Sequence, residues 1–119
     1  MAKNMTVALL YDFYGEILTD KQRDMIEQYY HQDLSLSEIA ENVGISRQGV
    51  RGAVKRAEEL LFDMENRLGL AARLSQTQTA LKAILAAADN IRAQNAEQNG
   101  PQAITDEALR IASLAAKLI

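Results

Sequence analysis

The stretch LSEIAENVGISRQGVRGAVKR, residues 36–56, decides the fold. It reads as a short helix, a glycine turn and a second helix, and each demand of a helix-turn-helix has a residue to meet it. Two helices that cross closely need a small residue at the contact, which Ala40 supplies. The turn needs a residue at ease at positive φ, which Gly44 supplies. Ile39, Val43, Ile45 and Val50 are spaced to wedge the angle open, and Ser46 is placed to cap the second helix. Ser35 and Glu38 form a capping-box pattern before the first helix, with Leu34 and Ile39 placed as its hydrophobic staple.

The same window carries the charge that matters. The chain is acidic, with a formal net charge of −3, yet residues 46–56 hold Arg47, Arg51, Lys55 and Arg56 and no acid. With Val50 and Val54 turned inward, Gln48, Gly52 and Lys55 point most directly out, Arg51 and Arg56 flank them, and Arg47 lies in the first turn. Arginine can bond a guanine edge in two places and glutamine an adenine edge. Candidate nucleic-acid contacts are therefore Ser46, Arg47, Gln48, Arg51, Lys55 and Arg56, with Arg47, Gln48 and Arg51 toward bases and Lys55 and Arg56 toward phosphates. Two features oppose that reading. Gly49 and Gly52 each cost roughly 1 kcal/mol against alanine in a helix, and Gly52 leaves the centre of the outer face bare. The acidic surroundings also weaken long-range attraction to a polyanion.

Working outward, the expected fold class is all-α. A helix over about 4–18 has the stripe Val7, Leu10, Tyr14, Ile17 and Leu18, widened by Leu9 and Phe13. Thr19 and Gln22 form a second capping box, and Met25, Ile26, Tyr29 and Tyr30 supply the next apolar face. After the short helix, about 36–42, a long one runs from Ser46 to about Leu68 and closes at Gly69. Composition shifts near residue 70: all six aromatics precede it, and 14 of the 19 alanines follow it. The expected domains are 1–70, the helix-turn-helix domain, and 71–119, an alanine-rich helical hairpin. Its helices are expected over about 75–95 and 106–118, broken at Asn99-Gly100-Pro101, with Thr105 as N-cap. Folding back on the domain, pairing as a hairpin and forming a dimer interface all fit the single apolar stripe of each tail helix. A homodimer is the expected assembly, since twofold assembly is the commonest form of oligomer.

At 119 residues the chain suits one domain with an appendage. It has no cysteine, which removes disulfides, thiolate metal sites and cysteine nucleophiles. His31 is the single histidine and reads as a helix-end or core-edge residue. The acids Glu58, Glu59, Asp63 and Glu65 read as a solvated helix face. With no phosphate loop, nucleophile elbow or placed carboxylate pair, the reading is no enzyme, no cofactor and no metal. No signal peptide or membrane span is read, which points to the cytoplasm.

From Leu9 to Leu70 the sequence also resembles the YlxM family of small bacterial proteins, most specifically in LTDKQ, DLSLSEIAE and SRQGV. The resemblance implies a helix-turn-helix similar to region four of sigma factors. It also implies a DNA-binding regulatory protein linked to the signal recognition particle pathway, with components of that particle and double-stranded DNA as partners. The alternative is a protein-interaction module that binds the particle's GTPase or RNA and has little sequence-specific DNA binding. Gly49 and Gly52 depart from the better helix formers expected in the family, as does the long, weakly charged tail.

Overall fold

In a computed structural model, which describes residues 3–119, the chain is helical throughout. The first two residues of the expected 1–70 domain lie outside the described ones. The elements are α1 (Met5–Tyr14), α2 (Asp20–Ile26), α3 (Leu36–Val43), α4 (Arg47–Leu68), α5 (Leu70–Glu97) and α6 (Gln102–Ala116). The chain divides into two compact units, the first ending at Ala71 and the second running Ala72–Ile119.

In the first unit, α1, α2 and α3 all pack on α4. The reason is the α4 stripe: Val50, Val54, Ala57 and Leu61 recur at helical spacing and are fully buried. Val7, Leu10, Tyr11 and Tyr14 face them from α1, and Leu36, Ile39 and Ala40 from α3. The expected first helix is shorter than its apolar pattern. It stops at Tyr14, and Gly15–Ile17 tightens into a 3₁₀ turn. Leu9 and Ile17 are left about half exposed instead of buried, because the turn takes Ile17 off the stripe and Leu9 sits on the outer side of α1. After α2 the backbone widens over Glu27–His31 into a π-type turn, in which the Gln32 N–H bonds the Glu27 carbonyl at 3.0 Å. This carries the chain to Asp33, at φ 55°, a conformation that aspartate tolerates.

In the second unit, α5 and α6 form the alanine-rich hairpin. The tail differs from its expected outline at both helix starts. α5 begins at Leu70, directly after Gly69 closes α4 at φ 65°, and not near 75. α6 begins at Gln102 behind Pro101, so Thr105 is one turn inside the helix and is not its cap. Asn95 holds the reversal: its Nδ2 donates to the Pro101 carbonyl and to Thr105 Oγ1, both at 2.9 Å. No described helix is long and apolar enough to cross a membrane.

Candidate nucleic-acid interface

The local geometry of the helix-turn-helix comes from its caps. Ser35 Oγ accepts the Glu38 N–H at 3.1 Å, and Glu38 Oε1 accepts the Ser35 N–H at 3.2 Å. The Thr19–Gln22 pair makes the same reciprocal bonds at the start of α2. Gly44 sits at φ 79°, and both its N–H and that of Ile45 bond the Ala40 carbonyl, at 2.9 and 3.2 Å. That double bond ends α3 and turns the chain into α4. Ile39 and Val50 are fully buried in the angle and Val43 partly so, but Ile45 remains 43% exposed. The expected wedge thus has three members. Ile45 lies instead on the rim of a cleft between α2 and α4, beside Gly49, Ala53 and Arg56.

A second layer of polar contacts holds α4 against the unit. The Tyr30 hydroxyl donates to Glu58 Oε1 at 2.7 Å, and the Tyr14 hydroxyl to Glu65 Oε1 at 2.6 Å. Glu58 and Glu65 are therefore tied into the fold and do not belong to the solvated face expected for them. Gln28, 6% exposed, links α3 to the α2 segment. Its Nε2 donates to Asp24 Oδ2 and its Oε1 accepts from Asn42 Nδ2, both at 3.0 Å. Sequence reading missed Gln28, Tyr30 and Glu58 as positioning residues. Nothing in spacing alone marks a glutamine as buried or pairs a tyrosine with an acid 28 positions away. His31 is exposed, and its ring meets the Tyr11 ring edge-on at 5.6 Å.

Of the six candidate contact residues, Ser46, Arg47, Gln48, Lys55 and Arg56 are exposed, and Arg51 is partly buried. Ser46 Oγ accepts the Gly49 N–H at 3.0 Å, so its hydroxyl caps α4 and keeps its own proton free to donate outward. The first intrahelical bond runs from Val50 N–H to the Ser46 carbonyl. The amides of Arg47 and Gln48 precede it, at the positive end of the helix dipole. Arg47, Arg51 and Lys55 follow at four-residue spacing and share one stripe. Arg56 lies apart from them, its guanidinium folded over Gly52, where Nη1 would stand 3.2 Å from a β-carbon. The bare position at Gly52 is thus what gives the Arg56 head its seat.

The electrostatics of α4 are polar along its length. None of Arg47, Arg51, Lys55 and Arg56 forms an ion pair among the described residues. By contrast Arg67, Arg92 and Arg110 are each held by an acid of their own helix, at 2.9, 3.6 and 3.8 Å. Beyond Arg56 the outward positions turn acidic, with Glu59 and Asp63 lining a shallow cleft beside it. Arg47 borders a second cleft that also holds Glu38 and Asp33, and Asp33 is itself paired with Lys3. Among the described residues no three metal-ligating side chains converge.

The comparisons with known proteins agree with this architecture. Residues 1–100 match the family described as "Putative helix-turn-helix protein, YlxM / p13 like". A UPF0122 protein of Thermoanaerobacter sp. (strain X514) is 49% identical over 86 residues, 72% of this chain and 74% of that protein. One of Clostridium kluyveri is 40% identical over 98 residues, 82% of this chain and 88% of that protein. One of Caldanaerobacter subterraneus subsp. tengcongensis is 59% identical over 64 residues, a match that spans 55% of that relative's length.

Proposed function

This chain belongs to the YlxM/p13-like family of helix-turn-helix proteins, and we propose that it binds duplex DNA through the first ten residues of α4. The observation that carries the reading is the unpaired state of Arg47, Arg51, Lys55 and Arg56 among the described residues of an acidic chain in which Arg67, Arg92 and Arg110 are each paired with an acid of their own helix. Charged groups left without partners on a rigid helix are preorganised for an external polyanion. From Arg47 to Arg56 the helix spans roughly 14 Å, close to the ~12 Å width of the major groove. Arg47, Gln48 and Arg51 reach base edges in this reading. Lys55, Arg56, the Ser46 hydroxyl and the first amides of α4 hold phosphates. The acids Glu59 and Asp63 repel the backbone and so set which end of α4 approaches. The resemblance to YlxM proteins adds a regulatory role linked to the signal recognition particle pathway, exercised in the cytoplasm by a protein without catalytic activity.

A second reading is favoured by Gly52. The outer face of α4 is bare at its centre and covered there by the Arg56 head, a poor base-reading surface but a flat one for a protein. In that reading the chain docks on the particle's GTPase or RNA and binds duplexes without sequence choice.

Selection from a random duplex pool, followed by equilibrium binding across salt, tests the first reading. A discrete site should emerge, with log K falling about 0.9 per phosphate neutralised for each log unit of salt. Arg51→Ala should lose roughly 1–3 kcal/mol of discrimination, and Lys55→Ala should weaken all sequences alike. A pool that yields no preferred site, with nuclease-resistant retention of the particle's GTPase from native lysate, would replace the first reading with the second.

A further inference from the structure

The hairpin α5–α6 carries an apolar face that its own packing does not use. The buried or partly buried positions that recur along the two helices are Leu81, Leu85 and Ala88 of α5 and Ala108, Ala112 and Ala115 of α6. That buried line is mostly alanine. The larger side chains Ile84, Ile91, Ile104, Ile111 and Leu118 remain between 41% and 68% exposed. On their helices Ile84, Ile91, Ile104 and Ile111 lie roughly 50–90° from that buried line, rotated in the same sense when viewed from that helix's own N-terminus, and Leu118 follows just beyond the end of α6. In an antiparallel pair, equal rotation in equal sense brings both sets to one side of the hairpin. Ile84 and Ile91 are seven residues apart, as are Ile104, Ile111 and Leu118. That is the spacing of a seam packed against further helices, since a repeat of seven keeps one side chain per two turns facing a partner.

We propose that this face is covered by the same face of a second copy of the chain, giving a four-helix bundle across a twofold axis. Two features select a second copy. The repeat is present on both helices of the hairpin, so a twofold mate offers ridges of matching spacing to every groove. The flanking charge Glu107 is neutralised within α6 by Arg110, at 3.8 Å, and does not repel its counterpart. The proposal does not depend on what α4 binds.

Sedimentation equilibrium of the full chain tests it, with far-UV circular dichroism as the check on folding. The wild type should sediment at twice 13.2 kDa. Ile91→Lys and Ile111→Lys should each shift it to the monomer with helicity retained. Leu109→Lys, an exposed position on the opposite side of α6, should leave the dimer intact. If the lysine variants lose helicity, the double variant Ile91→Ala, Ile111→Ala replaces them and should raise the dimer Kd roughly a hundredfold. A monomeric wild type at micromolar concentration would overturn the proposal, as would a dimer indifferent to the face substitutions. A wild type that associates only with a foreign protein would overturn it equally.

Discussion

Tyr14 and Glu65, 51 residues apart, together cap the start of a helix that neither belongs to. The Tyr14 hydroxyl donates to Glu65 Oε1 at 2.6 Å and accepts the Leu70 N–H at 3.1 Å, while the same Glu65 oxygen accepts the Ala71 N–H at 3.1 Å. The first amides of α5 have no local acceptor, because Gly69 precedes them and has no side chain. The carboxylate also suits the positive end of the helix dipole.

Tyr14→Phe removes a donor and an acceptor at once, at a buried site. It should cost about 1–3 kcal/mol in urea unfolding, the usual penalty for orphaned buried groups. Native-state hydrogen exchange locates the effect: the Leu70 and Ala71 amides should exchange faster than in the wild type. Unchanged exchange at both would show that the cap contributes nothing.

Three tyrosines should set the alkaline limit of the fold. Burial, reinforced by the carboxylate each hydroxyl donates to, pushes the Tyr11, Tyr14 and Tyr30 phenols above their ordinary value of 10.0. The acids are Glu27, Glu65 and Glu58. A pKa raised on folding favours the neutral phenol, so its stabilisation is complete below about pH 10 and fades as pH rises through the folded-state value. Stability should be level toward pH 10 and fall above it, and ultraviolet difference titration should show these phenols ionising together with unfolding. Ionisation of all tyrosines at pH 10 in the folded protein would contradict this.

Two glycines of the helix-turn-helix should respond to alanine in opposite ways. Gly44 is open on all sides but held at φ 79°, so Gly44→Ala should destabilise by about 1–2 kcal/mol through backbone strain alone. Gly52 is helical, and its new β-carbon would meet only the movable Arg56 head at 3.2 Å. Gly52→Ala should therefore stabilise, by up to about 1 kcal/mol, while releasing Arg56 from its seat. Thermal unfolding of both variants checks the signs, and the same sign for both would refute the assignment.

Gly100→Ala should loosen the hairpin. A β-carbon there would stand 1.8 Å from Asn95 Oδ1, so the amide that bridges Pro101 and Thr105 has to leave. The expected loss is about 1–3 kcal/mol, with faster amide exchange in α6 and none in α3. Asn95→Ala should reproduce it, and a wild-type exchange pattern in both would count against the bridge.

What could be read without coordinates was whatever is decided within four residues. The capping boxes at Thr19–Gln22 and Ser35–Glu38, the turn at Gly44 and the Ser46 cap depend on spacing along one helix and are present as read, while the α4 stripe expected over Val50, Val54, Ala57, Leu61, Met64 and Leu68 is fully buried only as far as Leu61, with Met64 partly buried and Leu68 54% exposed at the helix end. The candidate face of α4 was legible for the same reason, since a helical wheel places Gln48 and Lys55 outward without knowledge of the rest. Tertiary structure alone decided which groups meet across the chain. It withdrew Ile45 from the wedge and Glu58 and Glu65 from the solvated face, and it laid Arg56 over Gly52. It also started α5 at Leu70, five residues ahead of its periodic pattern, by supplying a cap from Tyr14 and Glu65. A hydrogen bond between residues 51 or 56 positions apart leaves no mark in local spacing, because its partners become neighbours only once the helices have packed.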